Sequence, residues 1–224
     1  MFPLRDTQPS YSRPLVTILI ILINAVVFLH EFSLDDYSRN YFIAHYGLIP
    51  VQASAHPLTF LTSMFLHGGW MHIIGNMWFL WVYGDNVEDV LGHGKYLLFY
   101  LLCGVIASVT QYAINPDSQI PTLGASGAIA GVMGAYLIKF PHARILTLIP
   151  IIIFWTTIEI PASIILVYWF ILQFFSGIGS VGYSQASQGG VAFFAHVGGF
   201  IAGMTLIYIM GTKERYSRRR DLQW

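Results

Sequence analysis

Charged residues are scarce in this chain of 224 residues: they make up 10% of it, whereas 55% of its residues are hydrophobic. Soluble globular domains carry about 25% charged residues, so this chain has too few polar groups to cover a soluble surface. The formal net charge is +0 at pH 7, and no basic excess points to nucleic acid. The composition therefore predicts an integral membrane protein with no nucleic-acid partner.

Cysteine and the usual motifs of metal and nucleotide chemistry are also lacking. The one cysteine, Cys103, lies in an apolar run, where we expect it to pack as a small apolar residue. The sequence has no H-E-x-x-H zinc motif and no phosphate-binding loop. Only Asp85 is an aspartate near the interior of a predicted span, whereas an aspartyl intramembrane protease would need a pair. We therefore expect no metal and no cofactor.

Several apolar segments approach the length of about 20 residues that a helix needs to cross the hydrocarbon core. They predict an all-α polytopic membrane protein with a single domain over residues 1–224. The predicted transmembrane helices are at about 15–33, 69–84, 95–114, 126–140, 161–176 and 190–211. We interpret the first segment as a membrane span and not as a cleaved signal peptide. Its apolar stretch is longer than a typical signal-peptide core, and no small-residue cleavage site follows it.

The distribution of Lys and Arg indicates how these spans are oriented. An even number of spans puts both termini on one side, and the predicted outer side then holds only Arg39. The predicted inner side holds Arg5, Arg13, Lys95, Lys139, Arg144, Lys213, Arg215, Arg218, Arg219 and Arg220. Because cytoplasmic loops are enriched in Lys and Arg, we predict that both termini are cytoplasmic.

Three connections differ from ordinary loops. The outer segment 34–68 is long and apolar, so we expect it to lie partly in the membrane. Segment 145–160 is broken by Pro150 and rich in β-branched residues, which predicts an extended or hairpin segment at the inner interface. The outer stretch at about 176–190 is rich in Gly and Ser and is predicted to be a flexible lid.

Polar side chains inside membrane spans are costly, so each of them marks a candidate site. His72 and Asn76 lie one helical turn apart in the second span, Ser126 begins the short fourth span, and His196 lies in the last. These spans all run from outside to inside, and the helical rise brings the four groups to a similar depth. A serine needs a base, and an oxyanion needs donors. No acid is placed beside His196, so we expect a Ser–His dyad.

Small residues on the same helices predict close backbone contacts in the membrane. The predicted fourth span carries Ser126, Ala130 and Gly134 on one stripe, and Gly127, Gly131 and Ala135 on the next. The last span carries Gly199 and Gly203 on the face of His196. General helix packing explains the glycines, but it does not explain Ser126 and His196 at the same depth on those faces.

Together these segments resemble the rhomboid intramembrane serine proteases. The motif GxSG corresponds to Gly124, Ser126 and Gly127; AHxxGxxxG corresponds to Ala195, His196, Gly199 and Gly203; HxxxN corresponds to His72 and Asn76. The resemblance implies a Ser126–His196 dyad with an oxyanion site made by His72, Asn76 and the Ser126 amide. It also implies cleavage of single-span or polytopic membrane proteins near the outer face of the lipid bilayer, without a cofactor.

The chain departs from better-known bacterial members of that family at two places. Leu58 and Thr59 stand where a Trp-Arg pair often anchors the first outer loop, and Ala130 stands where an aromatic residue often packs on the histidine. How the loop is anchored and how His196 is held therefore stay open. The compact six-span form favours a prokaryotic plasma membrane, although organelle membranes also fit the motifs.

Alternative roles remain for each group. Ser126 can be a helix N-cap, His196 can be a packing residue that donates to a carbonyl, and His72 and Asn76 can bond helices together. The whole chain can be a non-catalytic protein that binds membrane helices, or a transporter. Catalytically inactive relatives are expected to lack the Ser or the His, and a transporter is expected to show internal symmetry that this sequence lacks. These comparisons favour an enzyme.

Overall fold

The computed structural model describes residues 2–151, 154–180 and 192–212. Within these residues the helices are α1 (Leu15–Ser33), α2 (Asp36–Tyr46), α3 (Thr59–Thr62), α4 (Trp70–Leu91), α5 (His93–Ile114), α6 (Ser126–Lys139), α7 (Ala162–Ser180) and α8 (Phe193–Ile209). The strands are β1 (Phe2–Asp6), β2 (Arg144–Ile151) and β3 (Phe154–Pro161). The described chain is therefore mostly helical, and each predicted span overlaps one of its helices.

Helix α4 continues seven residues beyond the predicted end at 84, because its last two turns are polar but buried. The Glu88 carboxylate accepts the N–H groups of Val16 and Thr17, each at 2.8 Å, and Asp89 accepts the N–H of Tyr11 at 3.1 Å. A helix leaves its first N–H groups without partners inside the helix, and Glu88 satisfies two of them at the start of α1. Hydropathy alone missed this stretch because its carboxylates accept hydrogen bonds from another segment of the chain.

Helix α7 also ends later than predicted. It continues to Ser180, so the predicted lid at about 176–190 is helical over its first residues. Residues 181–190 of that prediction lie outside the described residues. The glycines at 177 and 179 do not end the helix, because a helix tolerates Gly at a modest cost.

Three helical segments of the described residues are long and apolar enough to cross a membrane. They are Leu15–Ser33, His93–Ile114 and Ala162–Gly179, with hydropathies of 2.3, 1.9 and 1.8. Helices α6 and α8 are shorter apolar helices of 14 and 17 residues. The outward faces of α1 and α7 expose large apolar side chains such as Val26 and Phe175, as expected for surfaces that contact lipid.

A three-stranded antiparallel sheet in the order β1-β2-β3 corrects the prediction of an all-α chain. The prediction of an extended or hairpin segment over 145–160 is confirmed, because β2 and β3 pair with Ile145 opposite Ile160 and Thr147 opposite Ile158. Strand β1 was not predicted. It pairs with β2 through backbone groups, with Phe2 opposite Leu148, and such a partner leaves no signal in its own five residues.

Helix α6 is the centre of the bundle and is buried from Gly127 to Tyr136. Its backbone lies in close contact with α8 and α5, because glycines line these contacts. A Cβ atom built at Gly203 would lie 2.6 Å from the Cα of Gly131, and one built at Gly131 would lie 2.5 Å from the Sγ of Cys103. The prediction that Cys103 packs as a small buried residue is confirmed. This packing leaves little freedom between the helices that carry Ser126 and His196.

Basic residues of the predicted inner side gather at one end of the bundle. There Lys95 donates to the carbonyl of Met210 at 2.8 Å, and Lys139 donates to Thr212 at 2.7 Å. Arg144 begins β2 at the same end, whereas Arg39 donates to Leu34 at the other end. Lys213, Arg215, Arg218, Arg219 and Arg220 lie outside the described residues. The sheet and this basic end form what we call the inner end.

Candidate active site

Ser126 and His196 meet between α6 and α8 at the end of the bundle opposite the inner end. The Nε2 atom of His196 lies 2.8 Å from the Oγ of Ser126, a normal hydrogen-bond distance. Ser126 is the first residue of α6, and the N-cap is Ala125, with no side-chain cap hydrogen bond. The hydroxyl of Ser126 is therefore paired with a histidine and does not cap its helix.

His196 is held from the other side by α7. Its Nδ1 atom lies 2.7 Å from the Oε1 of Gln173, and its ring centroid lies 5.7 Å from that of Trp169 at an angle of 39°. Trp169 thus supplies the aromatic contact that is missing at Ala130. We did not predict either residue, although Gln173 is a polar residue inside an apolar span and that signal could have identified it.

His72 and Asn76 lie on α4 beside Gly124, directly before the Ser126 helix. Gly124 has a φ of 118°, and a Cβ atom there would lie 2.7 Å from the Nε2 of His72 and 3.5 Å from the Nδ2 of Asn76. The absence of a side chain at Gly124 therefore lets both donors approach the start of α6. A positive φ also favours glycine at this position.

Two features make these groups available as hydrogen-bond donors. The N–H of Gly68 donates weakly, at 3.4 Å, to the Nδ1 of His72, which places the ring proton of neutral His72 on Nε2. The Nδ2 of Asn76 is buried and has no hydrogen-bond partner among the described residues. Since a buried donor without a partner is costly, Asn76 is a natural donor to a ligand atom that arrives there.

The loop before α4 is anchored without the Trp-Arg pair. Leu48 and Thr122 form a backbone bridge with N···O distances of 3.1 and 2.7 Å, and Gly124 donates its N–H to the carbonyl of Ser63 at 2.9 Å. His67 follows this loop and donates its N–H to the buried carboxylate of Glu31 at 3.3 Å. The loop is therefore tied to the segment that carries Gly124 and to α1.

The remaining motif residues bring α6 and α8 together at the site. A Cβ atom at Gly127 would lie 2.6 Å from the Cβ of Ala107 and 3.9 Å from that of Ala195. The N–H of Ala195 donates to the Oε1 of Gln111 at 3.3 Å, and Gly199 contacts the carbonyl of Gly127 directly. These contacts fix the height of α8 relative to α6 and hence the height of His196 relative to Ser126.

An apolar cavity lies between β1, α4, α6 and α7 and reaches Trp169. Its volume is about 310 Å³, and it is lined by Phe79, Tyr83, Met133, Trp169 and Leu172, among others. Trp169 lines this cavity and also packs against His196. The arrangement as a whole combines a hydroxyl, a histidine in contact with it, two donors and an apolar approach, which are the parts that acyl transfer requires.

The same chain segments match a known protein family. The family model described as "Rhomboid domain" matches residues 54–213. Rhomboid protease GluP of Bacillus subtilis is 42% identical over 77 residues, which are 34% of this chain and 15% of that protein. Presenilin-associated rhomboid-like protein A, mitochondrial, of Danio rerio is 34% identical over 100 residues, which are 43% of this chain and 26% of that protein.

A third relative aligns over almost the whole chain. Rhomboid-like protein 11, chloroplastic, of Arabidopsis thaliana is 25% identical over 228 residues, which are 98% of this chain and 74% of that protein. In contrast, the chain spans about a quarter or less of the Danio rerio and Bacillus subtilis proteins. The similarity to these two is therefore confined to a part of each protein.

Proposed function

Because the chain belongs to the rhomboid family, and is therefore a multi-pass integral membrane protein, we propose that it is an intramembrane serine endopeptidase. Ser126 is its nucleophile and His196 its general base. The observation that carries the proposal is the distance of 2.8 Å between the Oγ of Ser126 and the Nε2 of His196. Both groups belong to motifs that resemble those of the family, and rhomboid proteases are among the relatives.

In the proposed reaction, Ser126 Oγ attacks the scissile carbonyl carbon while its proton passes to Nε2 of His196. The carbonyl oxygen becomes an oxyanion and accepts hydrogen bonds from Asn76 Nδ2, His72 Nε2 and the Ser126 N–H. The tetrahedral intermediate then collapses, and the leaving amine takes the proton from His196. A water molecule activated by His196 hydrolyses the acyl-enzyme and regenerates the Ser126 hydroxyl.

The proposed substrates are transmembrane segments of other membrane proteins. The apolar lining of the cavity between β1, α4, α6 and α7 supports an apolar substrate, because Trp169 lines the cavity and packs on His196. A helix has to unwind before its carbonyls become available to a nucleophile, since they are hydrogen-bonded inside the helix. We therefore propose that small and helix-weakening residues flank the cleavage site.

We further propose that the chain has six transmembrane helices with the inner end in the cytoplasm of a prokaryotic cell. The gathering of Lys95, Lys139 and Arg144 at that end supports this orientation. A membrane-impermeant maleimide added to intact cells tests it, because Cys103 is buried and contributes little background. Asn40→Cys at the outer end should be labelled and His142→Cys at the inner end should not. The reverse pattern would invert the orientation.

Cleavage of a labelled single-span substrate in liposomes tests the enzymatic proposal. Wild type is compared with Ser126→Ala and His196→Ala, and with Ser54→Ala and His45→Ala as matched controls at exposed positions of the outer end. We expect cleavage by wild type and both controls and none by the two site variants. Cleavage that survives Ser126→Ala would reject the nucleophile. Binding of the substrate helix without cleavage by wild type would indicate a non-catalytic binder.

A further inference from the structure

Gln173 contacts the ring nitrogen of His196 that does not face Ser126. Its Oε1 lies 2.7 Å from Nδ1, and the Nε2 on the other side of the ring lies 2.8 Å from Ser126 Oγ. Gln173 belongs to α7, a different helix from those of Ser126 and His196. The three side chains thus form one continuous line across three helices.

The chemistry of imidazole gives this line a direction. A neutral imidazole carries its proton on one nitrogen and accepts at the other, so Nε2 can take the serine proton only if Nδ1 carries a hydrogen. That Nδ1–H needs an acceptor, and the amide oxygen of Gln173 provides one. In Ser-His-Asp enzymes a carboxylate fixes the tautomer and orientation of the histidine in this way.

We propose that Gln173 is a positioning residue that sets the tautomer of His196 and completes a Ser126–His196–Gln173 hydrogen-bond chain, an inference that rests on the proposed protease function. The geometry also answers how His196 is oriented in a chain without a nearby acid. Gln173 acts through His196 and does not touch the substrate.

The packing of α7 supports this role. Trp169 lies one turn before Gln173 on the same helix face and packs against the His196 ring. Phe170 packs against Phe200 of α8, with ring centroids 4.9 Å apart and an angle of 33° between the rings. The opposite face of α7 is exposed, as Ile171 and Phe175 show. The contact of α7 with α8 is therefore concentrated around the base, where an aromatic ring and an amide fix His196 together.

Two substitutions separate positioning from simple packing. Gln173→Leu keeps the approximate size and removes the acceptor, whereas Gln173→Glu keeps an acceptor oxygen at a similar reach. We expect Gln173→Leu to lower kcat about 10- to 100-fold with KM unchanged, because a hydrogen bond to the charged imidazolium is lost. We expect Gln173→Glu to retain activity and to move the acidic limb of the pH–rate profile to higher pH, because a carboxylate stabilises the imidazolium.

The readouts are kcat and KM for the transmembrane substrate, the pH–kcat profile, and the rate at which a small fluorophosphonate labels Ser126. The last is independent of how the substrate helix reaches the site. Within the described residues, His196 is faced by Ser126 from α6, by Gln173 and Trp169 from α7, and by His72 from α4. His72 is unchanged in all variants, so shifts between them report on position 173.

Ile171→Leu is the matched control. Its side chain lies on the exposed face of α7, two positions before Gln173 and away from the His196 ring. We expect it to leave kcat, the labelling rate and the acidic limb of the pH–kcat profile unchanged. If Gln173→Leu labels and cleaves like wild type, or if Gln173→Glu and Gln173→Leu lose activity and stability to the same extent, the proposal is wrong. Loss of activity in Ser126→Ala with an unaffected Gln173→Leu would reject this inference and leave the protease function standing.

Discussion

Gly203→Ala tests the glycine contact between α6 and α8. The added Cβ would overlap the carbonyl oxygen of Gly131 and lie 2.6 Å from its Cα, whereas two carbon atoms in favourable contact are about 3.5–4.0 Å apart. The two backbones must therefore separate by at least about 1 Å, since both sides of the contact are backbone and neither is a flexible side chain. Overpacking of this kind costs about 1–3 kcal/mol of stability.

The same separation reaches the site. His196 is two turns from Gly203 on α8, and the distance of 2.8 Å between its Nε2 and Ser126 Oγ leaves little room before the hydrogen bond is lost. A misplacement of about 1 Å can lower a rate about 100-fold. We expect a loss of that order for Gly203→Ala and at least as large a loss for Gly199→Ala, which lies nearer to His196.

The assay is cleavage of the labelled transmembrane substrate in liposomes at equal protein amounts, with thermal unfolding in detergent to separate misfolding from misplacement. Gly75→Ala is the matched control, because it is also a helical glycine and a Cβ atom there has no neighbour within 4 Å. We expect it to behave like wild type. Full activity of Gly203→Ala would refute the reasoning, since the helices would then tolerate a separation that the site geometry does not.

Three further predictions concern Gly124, Glu88 and Asp6. Gly124→Ala places a Cβ atom 2.7 Å from His72 Nε2 at a φ of 118°. We expect the cleavage rate to fall about 100- to 1,000-fold, as when one oxyanion donor is lost. Ser126→Ala is the inactive reference in the same assay. Glu88→Gln removes one charged acceptor from the buried cap of α1. We expect a loss of about 1–3 kcal/mol of stability. An unchanged unfolding temperature would contradict the role of the cap. Burial raises the pKa of Asp6 to about 6 from 3.8, so its contribution to stability is complete below 3.8 and is lost as pH rises through about 6. Asp6→Asn should therefore be more stable than wild type at pH 8 and gain least at pH 4, in unfolding scans of both proteins across that range.

Sequence alone identified much of the candidate site because its signals are local. The cost of polar groups in apolar segments singled out Ser126, His196, His72 and Asn76, and the structure brings these residues together. The bounds of the long helices also followed approximately from hydropathy, apart from the last turns of α4 and α7. There the carboxylates of Glu88 and Asp89 bond to the chain near α1, a long-range contact that composition does not carry.

Tertiary structure alone decided how the histidine is held and where β1 lies. Gln173 and Trp169 are distant in sequence from Ser126 and become neighbours of His196 only because α7 packs against α8. The sequence predicted no orienting acid and left the support of His196 open, since an amide on another helix has no fixed spacing from its partner. In the same way, β1 depends on the backbone edge of β2. The sequence determined which groups are costly in a membrane, and the packing of helices decided which of them share a hydrogen bond.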